Sequence, residues 1–259
     1  MSTSRSIGRV ASLWRHPVKG FTPEQLPEAA LVAGGFFPCD RIYAVEDGPS
    51  GFDADAPVWL TKQKFTVLAK IAEVARARTA YDEATGVLSV SAVGRGNFAA
   101  ALTEPAGREA FAAWLAGFLG EAARGPLRVV SAPGHCFSDH PLGHVSIINL
   151  ASVRDLEAKA GRPIDPLRFR ANLYVEGWPA WIESDAKGGE VRLGAVTARV
   201  FAPIVRCAAT HVDPSTGERD FDLVRALHDN YGHPNCGVYV SVLEGGLVRR
   251  DDVAELTRG

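Results

Sequence analysis

Short apolar segments separated by Gly, Pro and Asp residues run through most of this 259-residue chain. Apolar runs predict strands at residues 9–14, 28–33, 58–60, 71–79, 87–93, 190–193 and 238–242, and residues 82–86 (Asp-Glu-Ala-Thr-Gly) form a hairpin-turn sequence. Runs of this length between turn residues are typical of β-rich folds. Because unpaired sheet edges are a liability, we expect closed or nearly closed barrels.

Helical periodicity is confined to a few segments. In residues 105–120, Phe111, Trp114, Leu115 and Phe118 fall at i, i+3, i+4 and i+7, which gives one apolar stripe. Residues 152–159 and 222–231 predict two further helices, the first capped by Ser152 with Asp155. The sequence therefore predicts a mainly β protein with a few helices.

Length and charge limit the organisation and the partners of the chain. A chain of this size is expected to form one large or two modest domains, and Arg124-Gly125-Pro126 marks the best boundary. We therefore predict domains at residues 1–122 and 123–259. The formal net charge of −2 gives no reason to expect a nucleic-acid or anionic-membrane partner.

The N-terminal residues lack the apolar core of a signal peptide, and no later segment is an apolar run of membrane-spanning length. We expect a cytoplasmic protein with no membrane partner. The four cysteines are widely spaced, without a Cys-x-x-Cys pair, which argues against a structural zinc site or a clustered iron–sulfur site.

The most informative segment is residues 201–218. A strand leads into Arg206-Cys207, and Asp213-Pro-Ser-Thr-Gly217 forms a turn in which Asp213 bonds back to the backbone. A cation beside a cysteine favours the thiolate, which is the form that acts as a nucleophile or a metal ligand. A small buried structural residue is the other interpretation of Cys207.

Two further segments carry basic residues next to predicted strands. Arg168 and Arg170 precede an apolar strand that begins near Asn172, while Lys19 lies in a tight turn upstream of Arg41. Guanidinium groups match phosphate geometry, and a lysine reaches a phosphate as a point charge. Solvated surface charge is the alternative interpretation of these residues.

Taken in order, these motifs resemble the MOSC family, the domain found in molybdenum cofactor sulfurases and in mitochondrial amidoxime-reducing components. The resemblance covers nearly the whole chain and is strongest in the segment 206–217. It rests on the following motifs: Pro17-Val18-Lys19, Asp40-Arg41, Phe137-Ser138-Asp139, Ser152-Val-Arg-Asp-Leu156, Phe169-Arg170-x-Asn172, Arg206-Cys207-x-x-Thr210-x-Val212-Asp213-Pro214-x-Thr216-Gly217 and Gly237-Val238-Tyr239. The resemblance implies an N-terminal β-barrel-like domain followed by a MOSC β-barrel domain.

The resemblance also implies a molybdenum cofactor (molybdopterin) site between the two domains. Cys207 would be the metal ligand and a catalytic residue, since soft thiolate sulfur suits molybdenum. Asp139 would be the second catalytic residue, positioning substrate or handling protons, with loop capping as its alternative role. The implied cofactor-binding residues are Lys19, Arg41, Arg168, Arg170, Asn172, Arg206 and Thr210. Among them Lys19, Arg41 and Arg170 would meet the pterin phosphate, and Asn172 would mainly tie the loop.

Four positions depart from the family pattern. Gly20 and His140 stand where relatives often carry small hydroxyl residues, and Val205 stands where a small polar residue is common. The segment 61–65 lacks the usual arginine, although Lys62 and Lys64 offer charge in its place. These changes bear on the pterin contacts.

Two other site interpretations compete with the cofactor site. A Cys207–His211 dyad is one, although a strand spacing of four residues separates the two side chains too far for a direct bond. A metal cluster of His135, His140 and His144 beside Asp139 is the other.

We expect an oxidoreductase that reduces N-hydroxylated or related N–O compounds, with a small-molecule substrate. Its electrons would come from a separate donor protein, because the sequence contains no Rossmann fingerprint, flavin motif or ferredoxin-like cysteine cluster. The alternatives are a non-catalytic carrier or binding module for the cofactor or its sulfur, and a MOSC-like protein that has lost the cofactor and binds another anion.

Overall fold

The computed structural model describes residues 5–140 and 145–258, which form a mainly β fold with three α-helices, as predicted. The helices are α1 (Pro105–Leu119), α2 (Leu150–Ala160) and α3 (Leu223–Tyr231). The strands are β1 (Arg5–Arg15), β2 (Glu24–Leu26), β3 (Glu28–Leu31), β4 (Ala44–Asp47), β5 (Arg78–Asp82), β6 (Val87–Ala92), β7 (Arg95–Ala101), β8 (Leu127–Val130), β9 (Val145–Asn149), β10 (Leu173–Glu176), β11 (Glu190–Leu193), β12 (Val196–Val205), β13 (Asn235–Glu244), β14 (Gly246–Arg249) and β15 (Val253–Thr257). In these residues no helix has both the length and the apolar character needed to cross a bilayer.

Seven strands close into a barrel in the order β10-β9-β13-β12-β11-β15-β1, with β1 pairing back to β10. Closure leaves no free edge among these strands, as the alternating sequence pattern predicts. The barrel is filled by small branched side chains, including Val10, Leu13, Ile147, Val191 and Val240, each at most 1% exposed. The basic cavity described below lies at the end of the barrel where β12 stops.

The first half of the chain adds a three-stranded sheet, β5-β6-β7, that packs with α1. The predicted turn is formed, with Gly86 at φ +70° and its amide bonded to the Asp82 carbonyl. The α1 stripe is confirmed, because Phe111 and Leu115 are fully buried in the core of this half. This second core also contains Val18 and Tyr43, and so supports the loops that carry Lys19 and Arg41 to the cavity.

Four strand pairings join residues on both sides of the predicted boundary at 122/123, two of them made by β1, with β10 and with β15. Strand β1 lies in the barrel with six strands from the second half, β4 pairs with β8, and β3 pairs with β14. The two halves are therefore interleaved, and the boundary itself stays a prediction.

Some local predictions were wrong. Residues 58–60 form no strand, and residues 72–76 form a 3₁₀ turn before β5. Helix α2 begins at Leu150 because the Asn149 side chain accepts from the Ala151 amide at 3.1 Å and caps it. Ser152 therefore lies inside the helix and donates to Glu183 at 2.7 Å.

Candidate functional site

A cavity of about 260 Å³ opens where the end of β12 meets loops from the first half of the chain. The described residues place six basic side chains in its wall, against two acidic ones. The basic residues are Lys19, Arg41, Lys62, Arg168, Arg170 and Arg206, and the acidic residues are Asp40 and Asp139. Such an excess of cations in a concave site favours an anionic ligand.

Cys207 lies in the wall of this cavity and is half-buried. It follows β12 in extended conformation (φ −136°, ψ 176°) and precedes a 3₁₀ turn, Ala208–His211. Its carbonyl accepts from the Thr210 amide at 3.0 Å and the Thr210 hydroxyl at 2.9 Å, which fixes the turn. The thiol therefore faces a basic cavity, which a purely structural cysteine packed in apolar core would not do.

Lys62 lies beside Cys207, within hydrogen-bonding reach of its thiol, and beside Asp139. Burial opposes the ammonium, yet the charge of Asp139 and the contact with Cys207 raise the pKa of Lys62 above its ordinary value. Lys62 therefore supplies a fixed positive charge at the sulfur. The sequence indicated this residue only as a replacement for an arginine missing from the family pattern.

Four residues form what we call the basic corner of the cavity: His16, Asp40, Arg41 and Arg170. Arg41 and Arg170 both have φ of +53°, an uncommon left-handed conformation outside glycine. Arg41 is paired with Asp40 and donates from Nη2 to the Arg170 carbonyl at 3.2 Å. Asp40 also accepts from the His16 amide at 2.7 Å. The corner is therefore held together largely by its own hydrogen bonds.

Arg170 is the member of the basic corner with spare hydrogen-bonding capacity. Its Nη2 atom is buried and has no hydrogen-bond partner among the described residues. Burial and the charge of Arg41 lower the pKa of Arg170 to about 10, so the guanidinium is charged at neutral pH. A buried, charged donor without an acceptor is costly, and it fits an anionic ligand.

His16 is fully buried behind these arginines. Burial and the charge of Arg170 lower its pKa to about 3, so the imidazole is neutral at pH 7. Neither ring nitrogen has a hydrogen-bond partner among the described residues, although Nδ1 lies 3.5 Å from Asp40 Oδ1.

Lys19 is not free to act as an isolated phosphate ligand. Its ammonium is almost fully buried and donates to the Phe137 carbonyl at 2.8 Å and to Asp139 Oδ1 at 2.5 Å. Partial desolvation opposes the Asp139 carboxylate, but the charges of Lys19 and Lys62 hold its pKa well below the ordinary value. Asp139, whose side chain is about half exposed, is therefore an anion at the cavity.

Arg168 lies on the cavity wall but faces carboxylates behind it. It donates to Asp213 at 2.9 Å, to Asp220 at 2.7 Å and to the His211 carbonyl at 3.1 Å. We call Arg168, Asp213 and Asp220 the loop anchor, because they tie down the segment after Cys207. The Asp213 turn forms as predicted, since Oδ1 accepts from the Ser215 amide at 2.8 Å.

Arg206 and Asn172 are also engaged within the protein. Arg206 donates to the Cys236 carbonyl at 2.8 Å and the Phe169 carbonyl at 2.7 Å, while part of its side chain lines the cavity. Asn172 is outside the cavity lining, and its Oδ1 accepts from the Ser146 hydroxyl at 2.8 Å. Asn172 therefore ties the loop, which was its main expected role.

The departure at Gly20 has a steric reason. Gly20 has φ of +88°, and a Cβ atom there would lie 2.7 Å from Val67 Cα and 2.8 Å from the Thr66 carbonyl oxygen. A serine at this position would strain the backbone and displace the neighbouring chain.

The competing site interpretations receive no support from the geometry. Nε2 of His211 lies 3.1 Å from Asp222 Oδ1 at the start of α3, so the imidazole faces a carboxylate. His135 packs against Phe52 and Phe137. His144 lies outside the described residues, and in the rest of the chain no group of three or more His, Cys, Asp or Glu side chains is arranged to hold a metal ion.

Two family models match successive parts of the chain and together cover most of it. The MOSC N-terminal beta barrel domain matches residues 7–122, and the MOSC domain matches residues 137–255. The chain belongs to the MOSC family. The second match contains the Cys207 segment and the loop anchor.

Curated relatives match a shorter region. Molybdenum cofactor sulfurase from Caenorhabditis elegans is 35% identical over 98 residues, and that from Anopheles gambiae is 34% identical over 108 residues. These matches cover 36% and 37% of this chain but 14% of each relative, so the MOSC chain spans a small part of their length. Among solved structures, the YUAD protein from Bacillus subtilis is similar over 100% of both chains, with 14% identity and a TM-score of 0.47. YiiM from Geobacillus stearothermophilus is similar over 43% of this chain and 53% of its own, with 20% identity and a TM-score of 0.34.

Proposed function

We propose that this MOSC protein binds the molybdenum cofactor through Cys207 and reduces N-hydroxylated or related N–O compounds. One observation carries the proposal: Cys207 and Arg170 line the same basic cavity, and the buried Nη2 of Arg170 has no hydrogen-bond partner among the described residues. A ligand that satisfies both must combine a soft metal with an anionic group. A pterin dithiolene that carries molybdenum and a phosphate tail has both features.

The residues present fit this group. A single thiolate is enough, because the other sulfur ligands belong to the pterin, and thiolate sulfur is a soft ligand. Arg170 offers a buried guanidinium nitrogen without a partner, which suits a phosphate oxygen. The cofactor, when bound, supplies two-electron exchange at its metal.

The side chains around the sulfur have distinct roles in this proposal. Lys62 places positive charge next to Cys207. Arg41 and Arg170 hold the phosphate, while Lys19 positions Asp139 and adds charge. Asp139, an anion at the cavity, accepts a hydrogen bond from the substrate N–OH group and orients it. Thr210 and Arg168 keep the Cys207 turn in place without touching the reacting atoms.

The reaction needs a partner. Cleavage of an N–O bond in a hydroxylamine consumes two electrons and two protons and releases water. The sequence carries no motif for a second redox cofactor, so we assign the electrons to a separate donor protein.

A carrier function is the second candidate. It is favoured by the curated relatives, which bear the name molybdenum cofactor sulfurase. In that case the same site would hold the cofactor, or pass it or its sulfur on, without turnover.

Metal analysis tests the cofactor. We expect near-stoichiometric molybdenum and pterin in wild-type protein produced in a cofactor-synthesising host, and loss of both in Cys207→Ala. Cys236→Ala is the matched control, since Cys236 is buried and outside the cavity lining. A wild-type protein without molybdenum would rule out both functions. Reduction of hydroxylamine by the loaded protein with a chemical electron donor then separates the reductase from the carrier.

A further inference from the structure

The mouth of the basic cavity is apolar, in contrast to its interior. Val205 is 69% exposed and Phe36 is 39% exposed, and both line this cavity. Neither residue belongs to the two main hydrophobic cores. The first half of the chain contributes Phe36 to this apolar surface, and the second half contributes Val205.

Val205 stands on the same side of the chain as the thiol. It ends β12, and Cys207, two residues later, is still extended. Residues i and i+2 of an extended chain project to the same face. The Val205 methyl groups therefore lie next to the position that a group bound at Cys207 would occupy.

An aromatic cluster borders the same space. The ring of His140 lies 5.1 Å from that of Phe201 and 5.9 Å from that of Tyr239, measured between centroids. His140 and Tyr239 line the cavity. Two of the positions that depart from the family pattern, His140 and Val205, therefore both line this cavity.

We propose that Val205 and Phe36 form an apolar clamp that selects N-hydroxylated substrates with an aromatic or branched apolar body over hydroxylamine itself. This inference rests on the proposed function and specifies its substrate class. The substrate N–O group points inward toward Cys207 and Asp139, while its apolar body lies between the two side chains. Removing that body from water supplies binding energy that hydroxylamine cannot gain.

The reaction for such a substrate is balanced by an external reductant. N-benzylhydroxylamine takes up two electrons and two protons, its N–O bond breaks, and benzylamine and water leave. In the assay a reduced viologen dye, present in excess, provides the electrons and solvent provides the protons.

The test compares N-benzylhydroxylamine with hydroxylamine in four proteins. These are wild type, Val205→Thr, the double variant Val205→Thr/Phe36→Ser, and the control Val253→Thr. Threonine keeps the shape of valine but replaces one methyl group by a hydroxyl, and Val253 is 57% exposed on β15, outside the cavity lining. Molybdenum content is measured in each protein so that rates refer to loaded enzyme.

We expect Val205→Thr to lower kcat/KM for N-benzylhydroxylamine about 3- to 5-fold, and the double variant to lower it about 10- to 30-fold, mainly through KM. The rate with hydroxylamine should change less than about 2-fold, and Val253→Thr should behave as wild type. Equal losses with both substrates, or no loss with either, would overturn the clamp while leaving the reductase intact.

If the loaded protein reduces neither compound, the reductase function is refuted. The clamp is then tested by substrate binding instead of by rates. Equilibrium dialysis of N-benzylhydroxylamine then gives the answer. Weaker binding to the double variant than to wild type supports the clamp as a recognition site for the carrier protein, and equal binding rejects it.

Discussion

Arg168 and Arg170 lie two residues apart, yet the structure places them in opposite electrostatic settings. Arg168 belongs to the loop anchor, where Asp213 and Asp220 both accept from its Nη2. Arg170 belongs to the basic corner, where its Nη2 has no partner among the described residues and the charge of Arg41 opposes its own. An arginine therefore stabilises the fold in the loop anchor, whereas in the basic corner an arginine lines the cavity with an unpaired donor.

The difference follows from which charges surround each guanidinium. A buried cation with two carboxylates regains in pairing much of what it loses in desolvation, and removing it leaves those carboxylates unpaired. A buried cation beside another cation regains little, so it lowers stability until an anion arrives. Stability and ligand binding should therefore respond to the two arginines with opposite signs.

The largest expected effect is at the loop anchor. Arg168→Ala should lower the free energy of unfolding by about 3 kcal/mol, because two carboxylates and a carbonyl each lose a donor and a buried cation no longer pairs with them. Urea denaturation at pH 7 measures the loss. Arg162→Ala is the control: Arg162 also binds Asp220 but its side chain is 38% exposed, so its loss should stay below about 1 kcal/mol. Equal losses in the two variants would show that Arg168 does not anchor the loop.

An intermediate effect, with the opposite sign, is expected at the basic corner. Arg170→Met should raise the free energy of unfolding by about 1–2 kcal/mol at pH 7, because the lowered pKa of Arg170 reports a charge that the folded state disfavours. The same variant should retain less pterin, measured against protein mass after gel filtration. A variant that loses stability and keeps its pterin would reverse the assignment of the two arginines.

The positions of many strands and helices follow from local sequence patterns, but the closure of the barrel does not. The short apolar runs placed β1, β6, β11 and β13 nearly where the structure has them, and the apolar stripe placed α1. The pairing of β1 with β10 and with β15 joins segments that are distant in the chain. Periodicity says which face of a strand is buried but not which strand lies beside it, so the barrel order required the structure.

At the site, the sequence identified many of the residues that line the cavity. It was less successful in predicting the role of each residue. Both arginines of the 167–170 segment were expected to bind the cofactor, and both do line the cavity. Only the positions of Asp213 and Asp220 show that Arg168 is already paired. Phe36 was missed because an exposed phenylalanine in a Gly-Gly-Phe-Phe turn has no local signal for a cavity. The contrast between paired and unpaired cations is a long-range property.

The smallest expected effect concerns His16, which is buried beside Asp40, Arg41 and Arg170 in the basic corner. Its folded-state pKa of about 3 lies below the ordinary value of 6.5, so the unfolded chain binds a proton that the folded protein rejects. Folding should therefore lose stability as pH falls below about 6.5, by about 1 kcal/mol between pH 7 and pH 5.5. Urea denaturation at the two pH values measures this loss.

That loss should shrink in His16→Gln and, to a lesser degree, in Arg170→Met, because Arg170 is the charge that most opposes protonation of the imidazole. His228→Gln, a change at an exposed position on α3, should leave it as in wild type. The carboxylates of the loop anchor stay ionised over this range, since the pKa of Asp213 is about 2 and that of Asp220 is also lowered. If His16→Gln keeps the full pH dependence, the basic corner is less cut off from water than its burial indicates, and the cost assigned to Arg170 falls with it.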